Sequence, residues 1–156
     1  KSDMVSEELI RQIVEAGSYA ATGMGKQSPI ILAVTNQEIR DQLSRINGKI
    51  MGTDSDPFYG APVVLVVLAD KNRPTHVYDG SLVMGNLMLA AHALGLGSCW
   101  IHRAKETFET EEGKALLKQL GIECDYEGIG NCILGYSDEP AKDPVPRKSD
   151  YIHYVK

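Results

Sequence analysis

Cysteine, aromatic residues and excess positive charge are all scarce in this chain. Its 156 residues hold three cysteines, one tryptophan and two phenylalanines. Cys99, Cys124 and Cys132 show neither metal-ligand spacing nor an even count. That argues against a disulfide framework or a zinc site and predicts reduced, buried thiols in a cytoplasmic protein. The formal net charge is −5 and the pI about 5.3, which leaves no electrostatic footprint for nucleic acid. The opening Lys-Ser-Asp-Met-Val-Ser-Glu-Glu has no apolar h-region, and no uninterrupted apolar run is long enough for a bilayer. No GxGxxG follows a strand, and neither a GxxxxGK[ST] loop nor a GxSxG elbow occurs.

What remains is an ordinary globular composition, 43% hydrophobic and 24% charged, at a length that suits one domain spanning 1–156. The chain is organised around Asp79–Ile101, DGSLVMGNLMLAAHALGLGSCWI. Its helical part is apolar on every side, so it needs burial by its own domain and by a second copy of the chain. Asp79 or Ser81 is placed to cap its start, and Gly95 and Gly97 to stop it, with a short strand at Ser98–Ile101. Upstream, Ser6 caps a helix that carries Leu9, Ile10, Ile13 and Val14 and stops near Gly17. Ile30–Val34 reads as a strand. Asn36 caps a helix with Ile39, Leu43 and Ile46 on one face and Gly48 after it. Ala61–Ala69 (APVVLVVLA) is a strand buried on both faces. Thr110 caps a helix that Gly121 ends, and Gly130–Tyr136 is another buried strand. An acidic arm follows from residue 137, extended by Pro140, Pro144 and Pro146. It leads to an alternating Tyr151–Val155 that suits a strand on another subunit's sheet edge. Helices therefore cover a small sheet.

Residues that could carry chemistry are few. His76, His92, His102 and His153 have no metal-ligand partner at i, i+4, and no metal is expected. Cys99 is the best thiol candidate, though its setting also reads as that of a small buried hydrophobe. Ala20–Pro29 (AATGMGKQSP) is either a connector or a loop whose small residues let a flat ligand approach the backbone. Phe58 and Tyr59 are either core anchors or a pocket wall. Arg147–Lys148 is either a solvated pair or a phosphate grip. No protein-borne acid, base or nucleophile stands out, which leaves the reaction to a bound cofactor.

Four segments together resemble the flavin-dependent nitroreductase family. AATGMGKQSP is similar to that family's A-P-S-G-x-N-x-Q-P-W loop, and FYGAPVVLVV to its F-x-x-A-P strand. The third and most specific is D-x-S-x-x-x-x-N-L-x-L-A-A-x-A-L-G-L-G-S-C-W-I. The fourth is ILGY followed by PRK. Their order and spacing span essentially the whole chain. The resemblance implies an α+β fold, a small, mostly antiparallel central sheet flanked by helices, in a homodimer with FMN at the subunit interface. It implies a ping-pong cycle in which NAD(P)H reduces the flavin and a nitroaromatic, quinone or related small-molecule acceptor takes the electrons. Alternatives on the same fold are dehalogenation, dehydrogenation or non-catalytic flavin binding.

Carried over by position, Gln27 matches the glutamine on the flavin ring. Ala21, Thr22 and Gly23 match the loop packed on FMN from the partner chain. Trp100, Ile101, His102 and Arg103 match the strand end that passes the flavin face. Arg147, backed by Lys148, matches the phosphate-binding arginine, and Phe58 and Tyr59 border the substrate side. Departures are Ala21 for proline, Gly25 for asparagine and Ser28-Pro29 for Pro-Trp. Family members also carry an R-x-x-R-type segment ahead of the first helix that grips the phosphate. The sequence starts at Lys1, beyond that point. Each such arginine is worth about 1.5–3 kcal/mol, so weakened FMN binding is expected without them.

Overall fold

The computed structural model describes residues 1, 3–139 and 143–156. Pro140, one of the three prolines expected to extend the arm, lies outside the described residues.

Helix α1 (Glu7–Ser18) starts where Ser6 Oγ accepts the Leu9 N–H, with Glu7 and Glu8 in the first turn. It runs through Gly17 instead of stopping there. That glycine lies against helix α3 (His76–Ala93), and a Cβ on it would sit 2.5 Å from Leu87 Cδ2. Strand β1 (Pro29–Val34) leads to helix α2 (Gln37–Met51), capped by Asn36 Oδ1 on the Ile39 N–H. Gly48 is again internal, and Gly52, left-handed at φ 75°, ends the helix. Strand β2 (Val63–Asp70) follows, then α3, then β3 (Gly97–Ile101). A short helix that the sequence did not announce, α4 (Ala104–Glu109), precedes α5 (Glu111–Gln119), which Thr110 caps through the Gly113 N–H. Strand β4 (Tyr126–Gly135) begins four residues before the apolar run that marked it.

The strands form one antiparallel sheet in the order β1-β2-β4-β3 among the described residues. Helices cover both faces. Val63, Leu65 and Val67 of β2 point to a core shared with α1 and α3, through Ile10, Ile13, Met84 and Leu87. Val64, Val66 and Leu68 point to a second core with Leu43 of α2, Phe108 of α4 and Leu116 of α5. That is why an antiparallel strand shows no polar alternation: it is central in a three-layer arrangement. A bulge opposite Val67/Leu68 inserts Ile129 between Gly128 and Gly130. Ile129 fills the space over Gly80 of α3, where a Cβ would come within 2.5 Å of it.

Two expectations change. Cys99 and Cys124 are exposed and only Cys132 is buried. Asp79 does not cap α3: the helix starts at His76, and Asp79 is buried one turn inside it. Among the described residues, Tyr151–Val155 pairs with no strand of its own chain, and residues 143–156 are exposed throughout. No helix among the described residues is long and apolar enough to cross a membrane.

α3 is packed on one side only. Val83, Met84, Leu87 and Ala91 are buried, while Tyr78, Leu82 and Leu89 are 72%, 51% and 71% exposed. These three, with Gly85 between them, follow helical spacing and form one outward apolar stripe. His92, near the end of that helix, is also exposed.

Candidate functional site

The segment from Ala20 to Ser28 folds as a tight loop around a buried carboxylate. Gly23–Gly25 is a single 3-10 turn in which Met24 takes φ 53° and Gly25 φ 65°, and Gln27 beyond it takes φ 50°. Thr22 Oγ1 accepts the Gln27 N–H at 3.0 Å and closes the loop on itself. Beneath it, Asp79 accepts the Gly23 N–H and the Ser28 hydroxyl at 2.9 Å each, and the Thr75 hydroxyl at 3.0 Å. Burial opposes ionisation of Asp79. The hydrogen bonds from Gly23, Ser28 and Thr75 outweigh it and hold the carboxyl below the usual aspartate range. Gly23 is required at its position, since a Cβ there would lie 2.3 Å from Thr75 Oγ1. The outer surface presents Ala21, Met24, Gly25, Lys26 and Gln27 to solvent, with Met24 91% exposed. Thr22 and Gln27 also line a groove of about 430 Å³ bounded by Val14 and Ser18 of α1, Ile31 of β1 and Val83 of α3.

The second half of the expected site is the corner after β3. Trp100 is half-buried, its indole over Gly130, where a Cβ would approach Nε1 to 2.7 Å. Ile101 is buried and His102 exposed. Arg103, at φ 72°, turns the chain into α4. Asn47, fully buried in α2, donates to the His102 carbonyl at 2.8 Å and accepts from Arg103 Nε at 3.1 Å. Asn131 of β4 donates to the Ile101 carbonyl at 3.4 Å. Arg103 thus spends part of its guanidinium on its own chain, fastening the corner to α2.

Of the two aromatic residues expected on the substrate side, Phe58 is a core anchor, 1% exposed beneath the Arg40 guanidinium at 5.5 Å from its ring centroid. Tyr59 is 79% exposed at φ 53° and borders a groove of about 270 Å³ with Gly97, Cys99 and Tyr136. Their separation is set by Asp56, whose carboxylate accepts the Phe58 and Gly60 amides, the Ser44 hydroxyl and Arg40. Arg147 donates to the Val145 carbonyl at 3.0 Å and Lys148 pairs with Asp150 at 3.8 Å, both on the exposed arm.

One chain does not bring these pieces together. Gln27 precedes β1 and Trp100 lies near the end of β3, and these strands are opposite edges of the sheet. Three inter-strand spacings separate those edges by about 14 Å. Asp79, Asn47, Asp56 and Met24 were not singled out from the sequence as site residues. Asp79 opens the most specific motif, yet a carboxylate ahead of an apolar run reads as a helix cap until the loop facing it is seen. Among the described residues no group of three or more acidic, histidine or cysteine side chains could hold a metal.

This three-layer α+β arrangement is shared with solved flavoproteins. A nitroreductase with bound FMN from Bacteroides fragilis superposes with a TM-score of 0.89 at 26% identity, covering all of this chain and 91% of that one. A nitroreductase with bound FMN from Desulfitobacterium hafniense gives 0.87 at 26%, covering all of this chain and 90% of that one. Oxidised iodotyrosine deiodinase bound to FMN and 3-iodo-L-tyrosine shares the fold, with a TM-score of 0.75 at 21% identity and coverage of all of this chain and 91% of that one. Residues 47–136 match the model of the nitroreductase family, and the chain belongs to that family. Two relatives provisionally named NADH dehydrogenase/NAD(P)H nitroreductase are similar. The one from Methanothermobacter thermautotrophicus is 29% identical over 62% of this chain and 50% of its own length. The one from Archaeoglobus fulgidus is 28% identical over 85% of this chain and 74% of its own length. The chain thus spans half the length of the first of these.

Proposed function

We propose that this chain is an FMN-dependent oxidoreductase that works as a homodimer. In this reading it takes electrons from NAD(P)H and delivers them to a nitroaromatic, quinone or similar electrophile in a ping-pong cycle. The observation that carries the reading is the loop from Thr22 to Gln27. It is hydrogen-bonded to Asp79 from inside, exposes the backbone of Gly25 between Met24 and Lys26 outside, and offers the Gln27 carboxamide.

The residues fit the cofactor. Apart from its chain neighbours, Gly25 has nothing within 4 Å of the position a Cβ would take, so a flat ring can reach the backbone there. The Gln27 side chain is exposed and carries both a donor and an acceptor, which suits the pyrimidine edge of a flavin. Arg147 and Lys148 provide cations for its phosphate. FMN, when bound, supplies the hydride chemistry that no side chain of this protein offers. The protein's part is to orient and shield. Gln27 aligns the ring edge, the half-buried Trp100 offers an apolar face, and Tyr59 bounds the entrance, while Ile101 is buried in the core on the other side of β3.

Geometry supports the homodimer. Gln27 and Trp100 lie on opposite sheet edges, so a second copy is needed to bring such residues to one ligand. The α3 stripe of Tyr78, Leu82 and Leu89 gives that copy an apolar seat. Tyr151, Ile152, Tyr154 and Val155 of the arm, 65–98% exposed, are covered by it as well.

Absorbance of the purified protein with added FMN, then anaerobic bleaching by NADH or NADPH, tests the reading. FMN binding without bleaching would leave a flavin-binding protein and end the proposed enzyme. Reoxidation by a haloaromatic compound but not by nitro compounds or quinones would turn the reading to dehalogenation.

A further inference from the structure

We infer that Asp79 is the positioning residue of the flavin-facing loop: from inside α3 it sets the backbone of Gly23–Ser28, and through that backbone the placement of Gln27. The inference rests on the FMN reading above and goes beyond it, because Asp79 itself faces away from the loop's outer surface.

The geometry is specific. Asp79 is 3% exposed, yet the described residues give it no hydrogen bond or ion pair with a Lys or Arg side chain. A buried carboxylate without such a partner persists only where hydrogen bonds satisfy it. Here they come from both ends of the loop and from the turn before α3. Oδ1 takes the Gly23 N–H, and Oδ2 takes the Ser28 and Thr75 hydroxyls. The chain between Gly23 and Ser28 has both ends fastened to one side chain. Two non-glycine residues in that span, Met24 and Gln27, hold positive φ, a conformation that persists when its surroundings over-determine it. An amide at position 79 keeps the size but replaces one acceptor oxygen with a donor. Its NH2 can meet the Ser28 and Thr75 hydroxyls only if both reverse to accept, and the three charge-assisted bonds then become neutral ones.

The test uses the full chain and Asp79→Asn. Each is titrated with FMN by flavin fluorescence, and the visible circular dichroism of bound flavin is recorded at saturation. The expected result is binding about tenfold weaker in Asp79→Asn, the scale of one charge-assisted hydrogen bond. The flavin dichroism should also change shape. Ser28→Ala should move both readouts the same way and less far. A core control, Leu116→Ala, should lower the melting temperature without altering the flavin dichroism. The inference is overturned if Asp79→Asn binds FMN like the parent with unchanged dichroism. It is equally overturned if the core control reproduces both changes. If Asp79→Asn does not fold, Ser28→Ala and Thr75→Val decide on the same two readouts. Failure of the parent chain to bind FMN at all would instead overturn the proposed function, before any variant is compared.

Discussion

Removing the carboxylate of Asp56 should loosen the loop between α2 and β2 more than any other single polar change in that region. Arg40 is 7% exposed, and its guanidinium reaches Asp56 and Asp41 while Nε donates to the Ala61 carbonyl at 3.0 Å. Asp56 in turn takes the Phe58 amide at 2.9 Å and the Gly60 amide at 2.7 Å. Breaking one side of a buried ion pair costs about 3–5 kcal/mol. Asp56 is a third exposed, so water replaces part of what is lost, and about 2–3 kcal/mol remains for Asp56→Ala. At this chain length each kcal/mol moves the melting temperature by about 2–4 °C, which gives a fall of roughly 5–10 °C. The same carboxylate sets an acid limb. Burial opposes its ionisation, but the hydrogen bonds from Arg40, Ser44, Phe58 and Gly60 win and hold it at about 2. The folded value lies below the unfolded one. Its contribution is therefore complete above about pH 4 and is lost as the pH falls toward 2. Thermal melts across pH 2–7 should show a steeper acid decline for the parent than for Asp56→Asn. A melting shift under 2 °C for Asp56→Ala, or parallel acid limbs, would refute the account of this loop.

Other changes test other parts of the molecule. Leu89→Lys, on the outward stripe of α3, should convert the proposed dimer to monomer in light scattering while leaving the far-ultraviolet dichroism intact. Gly128→Ala should destabilise by more than about 2 kcal/mol in urea melts. Its Cβ would lie 2.2 Å from the Ala104 carbonyl oxygen, a backbone atom that cannot step aside without moving α4. Cys132 is fully buried, and burial together with nearby Cys99 pushes its thiol up to about 12. One of the three thiols should therefore resist a thiol reagent until the protein is unfolded.

Local signals in the chain determined a good deal. Ser6, Asn36 and Thr110 stand where side-chain oxygens cap helices, and each does so. Apolar runs announced all four strands, the two central ones, β2 and β4, most strongly because both of their faces are buried. Glycine proved ambiguous. Gly17 and Gly48 looked like helix stops, but each lies inside a helix. At Gly17 and Gly80 a neighbouring side chain, Leu87 or Ile129, occupies the room a Cβ would need. Only the packed neighbour distinguishes those two roles. The same holds for charge. Asp79 and Asp56 are ordinary acidic residues in the sequence, and their importance comes from amides and hydroxyls that folding delivers from 56 and 16 positions or fewer away. The family motif located the candidate loop and strand end by position along the chain. Their placement on opposite edges of the sheet was a matter of strand order, which depends on long-range pairing and leaves no trace in local periodicity.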